Sequence, residues 1–258
     1  LMKRIARHHN LRLLLHEKPF AGINGSGKHT NVSLLDSEGF NLLEPSNNQR
    51  RNVQFLAFLG ALILGVSKYS SLLRASVASP GNMHRLGGFE APPAIMSIYL
   101  GNTLTDVLDR LEEGFPEEIP TSGMMDLGLN KLPSIKKENS DRNRTAPLAF
   151  TGNKFEFRAT GASQSIAGPL TMLLAIWAWG IEEITNRIES RLGSSDITDA
   201  TLDVLRGVAK ESANVRFEGN CYDESWHEEA VRRGLPIANT TPEALSYYLI
   251  PENRELLS

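Results

Sequence analysis

The segment Lys18 to Ser33, KPFAGINGSGKHTNVS, sets the firmest limit on what this chain can fold into. Gly22, Gly25 and Gly27 remove three Cβ atoms within six residues, Pro19 fixes the entry, and a lone histidine, His29, follows. Glycine lets backbone adopt positive φ and approach a ligand or another chain segment closely, and it disfavours helix interiors. The segment is therefore a loop that presents bare backbone, and its residue types suit phosphates and a metal.

Gly22 to Lys28 meets most of the phosphate-loop pattern GxxxxGK[ST], and the apolar run Leu11 to Leu15 supplies the strand expected ahead of it. The pattern fails at its last position, where His29 stands in place of a magnesium-binding hydroxyl. A phosphate loop also opens a helix. Here Thr30 to Leu35 is β-branched and short, and Asp36 to Gly39 signals a turn, so the expectation is strand, glycine loop, strand.

With 258 residues and 41% hydrophobic content, the chain has ample material for a core. A net charge of −3 gives no support to nucleic-acid or membrane-surface binding. The single cysteine, Cys221, cannot form an internal disulfide, which fits a reducing compartment such as the cytoplasm. The apolar stretch Met172 to Gly180 is too short for a bilayer span and reads as a buried helix. The N-terminus lacks the pattern of a signal peptide and begins with Leu1, which suggests part of a longer chain.

Apolar spacing predicts a helix over 48–66 that continues through 69–77, stopped by Pro80 and Gly81. A loop over 82–93, a strand reaching Leu100 and a helix from Asn102 or Thr103 to about Gly114 follow. From Phe115 to Asn143 breakers and charges dominate, the mark of a long functional or mobile loop. Asn153 to Gly161 alternates as a strand, and helices are expected over 164–192, 198–216, 222–233 and 241–248.

Two sets of side chains carry chemistry. Lys154, Glu156 and Arg158 share one strand face, with the carboxylate about 6 to 7 Å from each cation. By itself such a face also suits plain solvent exposure. Together with His29, Glu156 is a partial ligand set for Mg²⁺ or Mn²⁺ carrying a nucleotide phosphate. Arg85, Glu90, Arg142 and Arg144 lie in loops, and arginines concentrated there in a slightly acidic chain suit a cavity for anions.

KPFAGINGSGKHTNVS resembles the ATP-region signature of glutamine synthetases, in which an Asn-Gly-Ser-Gly run precedes a metal-binding histidine. NMHRLGGFEAPP is similar to that family's flap loop, RNRTAPLAF to its nucleotide-phosphate arginine segment and NKFEFR to its metal-glutamate strand. HEKPFAG, NRTAPLAFTGNKFEFR and VRFEGN resemble the large type III branch. The resemblance spans essentially the whole chain and is most secure over 11–35, 82–101 and 141–161.

The resemblance implies an α+β fold with a curved, largely antiparallel sheet, packed helices and a helical C-terminal region. It divides the chain into a partial catalytic domain over 1–192 and a helical region over 193–258. It implies ATP-dependent ligation of ammonia to glutamate through γ-glutamyl phosphate, in a dodecamer of stacked hexameric rings in the parent protein. His29 and Glu156 would bind the metal, Asn24 and Gly25 the glutamate, and Arg85 its α-carboxylate. Arg158 would face the γ-carboxylate and the transferred phosphoryl, Ser33, Arg144 and Lys154 would serve ATP, and Glu90 would close over the intermediate.

Ala149 stands where many members have a second ATP arginine. The family draws its other metal carboxylates from upstream strands, and completes each site with a neighbouring subunit's N-terminal domain. The expectation is therefore a fragment that is inactive alone. An inactive homologue with a structural or regulatory role, and a γ-glutamyl-amine synthetase, are the alternatives.

Overall fold

The computed structural model describes residues 1–46, 48–88, 91–113, 145–193 and 196–258. Helix α1 (Met2–His8) buries none of its side chains, and the Leu11 to Leu15 run that follows forms no strand. Among the described residues no strand pairs with this run, and its side chains are largely exposed, so apolar content alone does not make it β. Strand β1 (Gly27–Val32) begins earlier than the expected Thr30 and takes His29 into the sheet.

The long apolar segment becomes α2 (Gln49–Ser76), opened by the Asn48 side chain, which accepts from Arg51 N. Its 27-residue stretch from Arg50 has the length of a bilayer span, and the most apolar 18-residue window within it, with mean hydropathy 1.6, has the apolarity of one. Yet 78% of its most apolar window is buried within the fold, so it is the core helix. A non-helical residue at Tyr69 (φ −116°, ψ 26°) divides it where the sequence pattern also breaks. Pro80 starts a helix instead of ending one: Ser79 caps α3 (Pro80–Arg85) and Pro80 occupies its first turn, where a missing N–H costs nothing.

Strand β2 (Ile98–Tyr99) precedes α4 (Asn102–Glu113), and β3 (Leu148–Phe150) and β4 (Phe155–Gly161) follow. Among the described residues the sheet has the order β1-β4-β3-β2, with β1/β4 and β4/β3 antiparallel and β3/β2 parallel. The expected largely antiparallel sheet is thus present with a parallel edge. The expected helices appear as α5 (Ala167–Glu189), α6 (Ile197–Glu211), α7 (Glu224–Arg232) and α8 (Thr241–Ser246). A further helix, α9 (Pro251–Leu256), which the apolar spacing does not predict, starts on a proline in its first turn.

The α2/α5 contact is close because glycines line it. A Cβ on Gly180 would lie 2.0 Å from the Ala61 carbonyl, and one on Gly65 2.5 Å from that of Ile176. Trp177 fills the space beside them and donates its Nε1 to the Phe58 carbonyl at 2.9 Å. The sheet packs on the same core through Phe150, Phe155 and Phe157, with Phe155 edge-on to Trp177.

The C-terminal part is bonded to the sheet edge. Phe217 N donates to Ile98 O at 3.0 Å, and Arg216 Nη1 pairs with Asp109 on α4 at 2.9 Å. The Glu218 carboxylate accepts from Leu100 N (3.0 Å), Gly101 N (2.8 Å) and Thr105 Oγ1 (2.8 Å), so it caps α4 from a distant segment. Burial pushes this carboxyl above the usual glutamate range, although those three donors act against it.

Candidate functional site

Strand pairing places the chemistry. Lys28 pairs with Thr160 and Thr30 with Phe157, so β4 uses one residue more than β1 between these pairs. His29 therefore faces both Arg158 and Ala159, a β-bulge on β4. Asn31 pairs with Glu156, and residues two apart share a face, which makes His29 and Glu156 diagonal neighbours on one face.

Their side chains meet. His29 Nδ1 lies 3.0 Å from Glu156 Oε1, and Arg158 donates from Nε (3.0 Å) and Nη2 (2.8 Å) to Glu156 Oε2. Solvent access grades along this line, with side chains 50% exposed at His29, 17% at Glu156 and 3% at Arg158. A solvated strand face is thereby excluded for Arg158, which is inside the protein. Burial acts to raise the Glu156 pKa, but the Arg158 bonds and charge and the His29 contact outweigh it, and the carboxyl sits below its ordinary range. An ionised carboxylate only accepts, so His29 Nδ1 is the donor in this contact and Nε2 is the ring nitrogen left to face a ligand.

An imidazole nitrogen and a carboxylate oxygen suit Mg²⁺ or Mn²⁺ in chemical type. Among the described residues no group of three His, Cys, Asp or Glu side chains is placed to hold an ion. His29 and Glu156 fit as part of a ligand set that needs oxygen donors from elsewhere.

The bulge also accounts for Arg85. A bulge frees ladder carbonyls, and the buried Arg85 guanidinium donates from Nη2 to Arg158 O (3.0 Å) and from Nη1 to Thr160 O (3.3 Å). Nη1 also reaches Asn82 Oδ1 at 3.1 Å, while Asn82 Nδ2 donates to Ala159 O at 2.8 Å. Arg85 thus lies under the bulge, linked to the His29–Glu156–Arg158 line through backbone and not side chain. Burial lowers its pKa, while Glu17 and Tyr222 act to raise it.

The 18–26 loop covers this arginine. A Cβ on Gly25 would lie 2.5 Å from Glu17 O and 3.2 Å from Arg85 Cγ, and one on Gly27 would lie 2.0 Å from Arg85 Nη2. Asn24 is exposed on the same loop. A cavity lined by Lys18, Ala21, Gly22, His84, Leu86, Gly87 and Gly88, about 440 Å³, opens beside it.

Ser33 and Lys154 lie at the other end of the β1/β4 pair and meet at one turn residue. Ser33 Oγ donates to Asn41 Oδ1 (2.5 Å) and approaches Asn153 O (3.1 Å), while Lys154 Nζ donates to Asn153 Oδ1 at 3.2 Å. The structure thus brings His29, Glu156 and Arg158 together, sets Asn24, Gly25 and Arg85 at one end, and Ser33 and Lys154 at the other. Glu90 and Arg144, and the expected loop over 115–143, lie outside the described residues.

Sequence reasoning missed Glu17, Asn82 and the bulge. Glu17 is 2% exposed and binds Ser163; its only sequence signal is a carboxylate directly ahead of the Lys-Pro entry. The bulge has no sequence signal, because it is a property of pairing between segments far apart in the chain.

Residues 1–97 match the glutamine synthetase catalytic domain, and residues 200–258 the glutamine synthetase C-terminal domain. A type-3 glutamine synthetase of Dictyostelium discoideum is 44% identical over the whole of this chain, which covers 35% of that protein. Glutamine synthetases of Bacteroides fragilis and Butyrivibrio fibrisolvens are 43% and 41% identical, again over the whole chain and 36% of each relative. The chain spans about a third of the length of these curated relatives.

Proposed function

Because this chain belongs to the glutamine synthetase family, we propose that the protein carrying it ligates ammonia to glutamate with ATP, through γ-glutamyl phosphate. The observation that supports this best is the line His29–Glu156–Arg158, a metal-type donor pair joined to a buried arginine at a strand bulge.

Phosphoryl transfer depends on charge neutralisation and alignment more than on covalent help. Bound Mg²⁺ or Mn²⁺ would supply that neutralisation at the ATP phosphates. Glu156 holds the His29 ring through Nδ1 and leaves Nε2 as the ligating nitrogen. Arg158 carries a fixed positive charge on the other side of Glu156, in line with a role at the γ-carboxylate and the phosphoryl group. Asn24 and Gly25 receive glutamate on the loop over Arg85, which keeps β4 in its bulged course and holds a positive charge beneath the α-carboxylate. Ser33 and Lys154 serve the nucleotide end with Arg144, and Glu90 closes over the acyl phosphate, which hydrolyses unless water is kept away. The parent protein acts in the cytoplasm as a homo-oligomer, a dodecamer of stacked hexameric rings, without nucleic-acid or membrane partners.

The test is glutamine formation by the full-length protein from glutamate, ammonium, ATP and Mg²⁺, followed by chromatography. Activity that disappears in His29→Ala and Glu156→Ala is expected. A wild-type protein that makes no glutamine, or variants that make it at the wild-type rate, would overturn the assignment. The 258-residue chain alone, holding part of the ligand set, is expected to be inactive.

A further inference from the structure

Glu17 is a buried carboxylate that the proposed reaction does not use. It is 2% exposed, and Ser163 donates to its Oε1 both from the backbone N–H at 3.1 Å and from the hydroxyl. Its own carbonyl accepts from Ser26 N at 2.7 Å, which closes residues 17 to 26 into a loop with touching ends. The same residue thus fixes the loop twice: by its backbone to the loop's far end, and by its side chain to the turn after β4.

The surroundings are cut to fit this side chain. A Cβ on Gly81 would lie 2.6 Å from Glu17 Oε2, and one on Gly161 2.7 Å from Glu17 Cγ. Both contacts are far shorter than packed atoms tolerate, so glycine at each position is what admits the carboxylate. Gly25 would likewise meet the Glu17 carbonyl at 2.5 Å. Three separate segments, the loop itself, the start of α3 and the end of β4, therefore close on Glu17. Burial acts to raise its pKa, but the Ser163 bonds, the bond from its own backbone N–H and the nearby His16 outweigh this, and the carboxyl sits below its ordinary range. A buried charge held this way is retained only where it is well bonded.

We propose that Glu17 is a positioning residue, which seats the 18–26 loop on the end of β4 and so sets where Asn24 and Gly25 meet glutamate. What the loop binds rests on the ligase reading above; that Glu17 seats it does not. Misplacing a substrate-holding backbone by a fraction of an ångström weakens binding of that substrate while leaving the nucleotide end untouched.

Three variants of the full-length protein test this. Glu17→Ala removes the carboxylate, Glu17→Gln keeps an acceptor for Ser163 without the charge, and Ser163→Ala, at an exposed position, removes one donor with little risk to folding. Glu17→Ala is expected to raise KM for glutamate by about tenfold or more, with kcat and KM for ATP changed by less than about threefold. Glu17→Gln and Ser163→Ala should fall between it and wild type, and amide exchange should accelerate over 18–26 but not in α2. Wild-type glutamate KM and unchanged exchange in Glu17→Gln and Ser163→Ala would overturn the proposal, as would equal losses for glutamate and ATP. If Glu17→Ala does not fold, the other two variants decide by the same measures. If the wild-type protein makes no glutamine, the ligase reading fails and exchange alone decides: faster exchange confined to 18–26 upholds the seating role, and uniform or absent acceleration refutes it.

Discussion

Gly27→Ala is the sharpest probe of how the site is held. In a strand, alanine in place of glycine is ordinarily stabilising by about 0.5–1 kcal/mol, through the entropy of the unfolded chain. Here the added Cβ would lie 2.0 Å from Arg85 Nη2, 2.4 Å from Cζ and 3.0 Å from Nε. A guanidinium free in solvent would swing aside, but Arg85 is 4% exposed and is held by Arg158 O at 3.0 Å and Asn82 Oδ1 at 3.1 Å. Displacing it gives up two hydrogen bonds from a charged donor, each contributing about 1.5–3 kcal/mol, and leaves a bulge carbonyl unpaired. Partial relaxation brings the expected loss to about 3 kcal/mol, a fall in Tm of roughly 6–12 °C for a chain of this size. Urea denaturation of the purified protein measures it, and the cycle with Arg85→Ala isolates the cause. With the guanidinium gone, adding the methyl should cost less than about 1 kcal/mol. A loss under about 1 kcal/mol in the wild-type background, or the same loss in both, would refute the account of Arg85 as the bulge's support.

Two further outcomes follow from other contacts. Glu218→Gln is nearly isosteric, but its amide would face the Gly101 N–H where a carboxylate oxygen now accepts at 2.8 Å, so denaturation should show a loss of about 1–3 kcal/mol, with exchange accelerating in α4; unchanged stability would show that the cap contributes nothing. For Glu156 the folded pKa is depressed, so its stabilising contribution is present above the ordinary glutamate range and disappears as pH falls through the lower folded value. Denaturation of wild type and Glu156→Gln between about pH 3 and 7 should show a stability gap that closes toward acid, and a gap that widens there would contradict the ion pair with Arg158.

The Gly22, Gly25, Gly27 and His29 run marked the loop and its histidine because those residue types are rare in combination and act through local backbone freedom. Alternation in Asn153 to Gly161 placed Glu156 and Arg158 on one face, since a period of two is a property of one strand. The helices over 49–76, 102–113 and 167–189 were legible from apolar spacing for the same local reason. What failed was equally instructive. Leu11 to Leu15 has strand composition but no strand partner among the described residues, and Pro80 opens a helix because a proline at the first turn loses no bond.

The sequence by itself determined the inventory: which side chains are available for an anion and a metal, and where the longest helices and the Glu156 strand lie. Only the tertiary structure decided their relations. It set His29 against Arg158 and Ala159 at a bulge, moved Arg158 from a supposed solvent face to the interior, and turned Arg85 into the group that satisfies the bulge's carbonyls. It also found Glu17, a single carboxylate around which three segments close. These relations depend on contacts between residues far apart in the chain, from 73 positions for Arg85 and Arg158 to 146 for Glu17 and Ser163, fixed by packing and by the need to bond every buried polar group, and no local pattern in the chain encodes them.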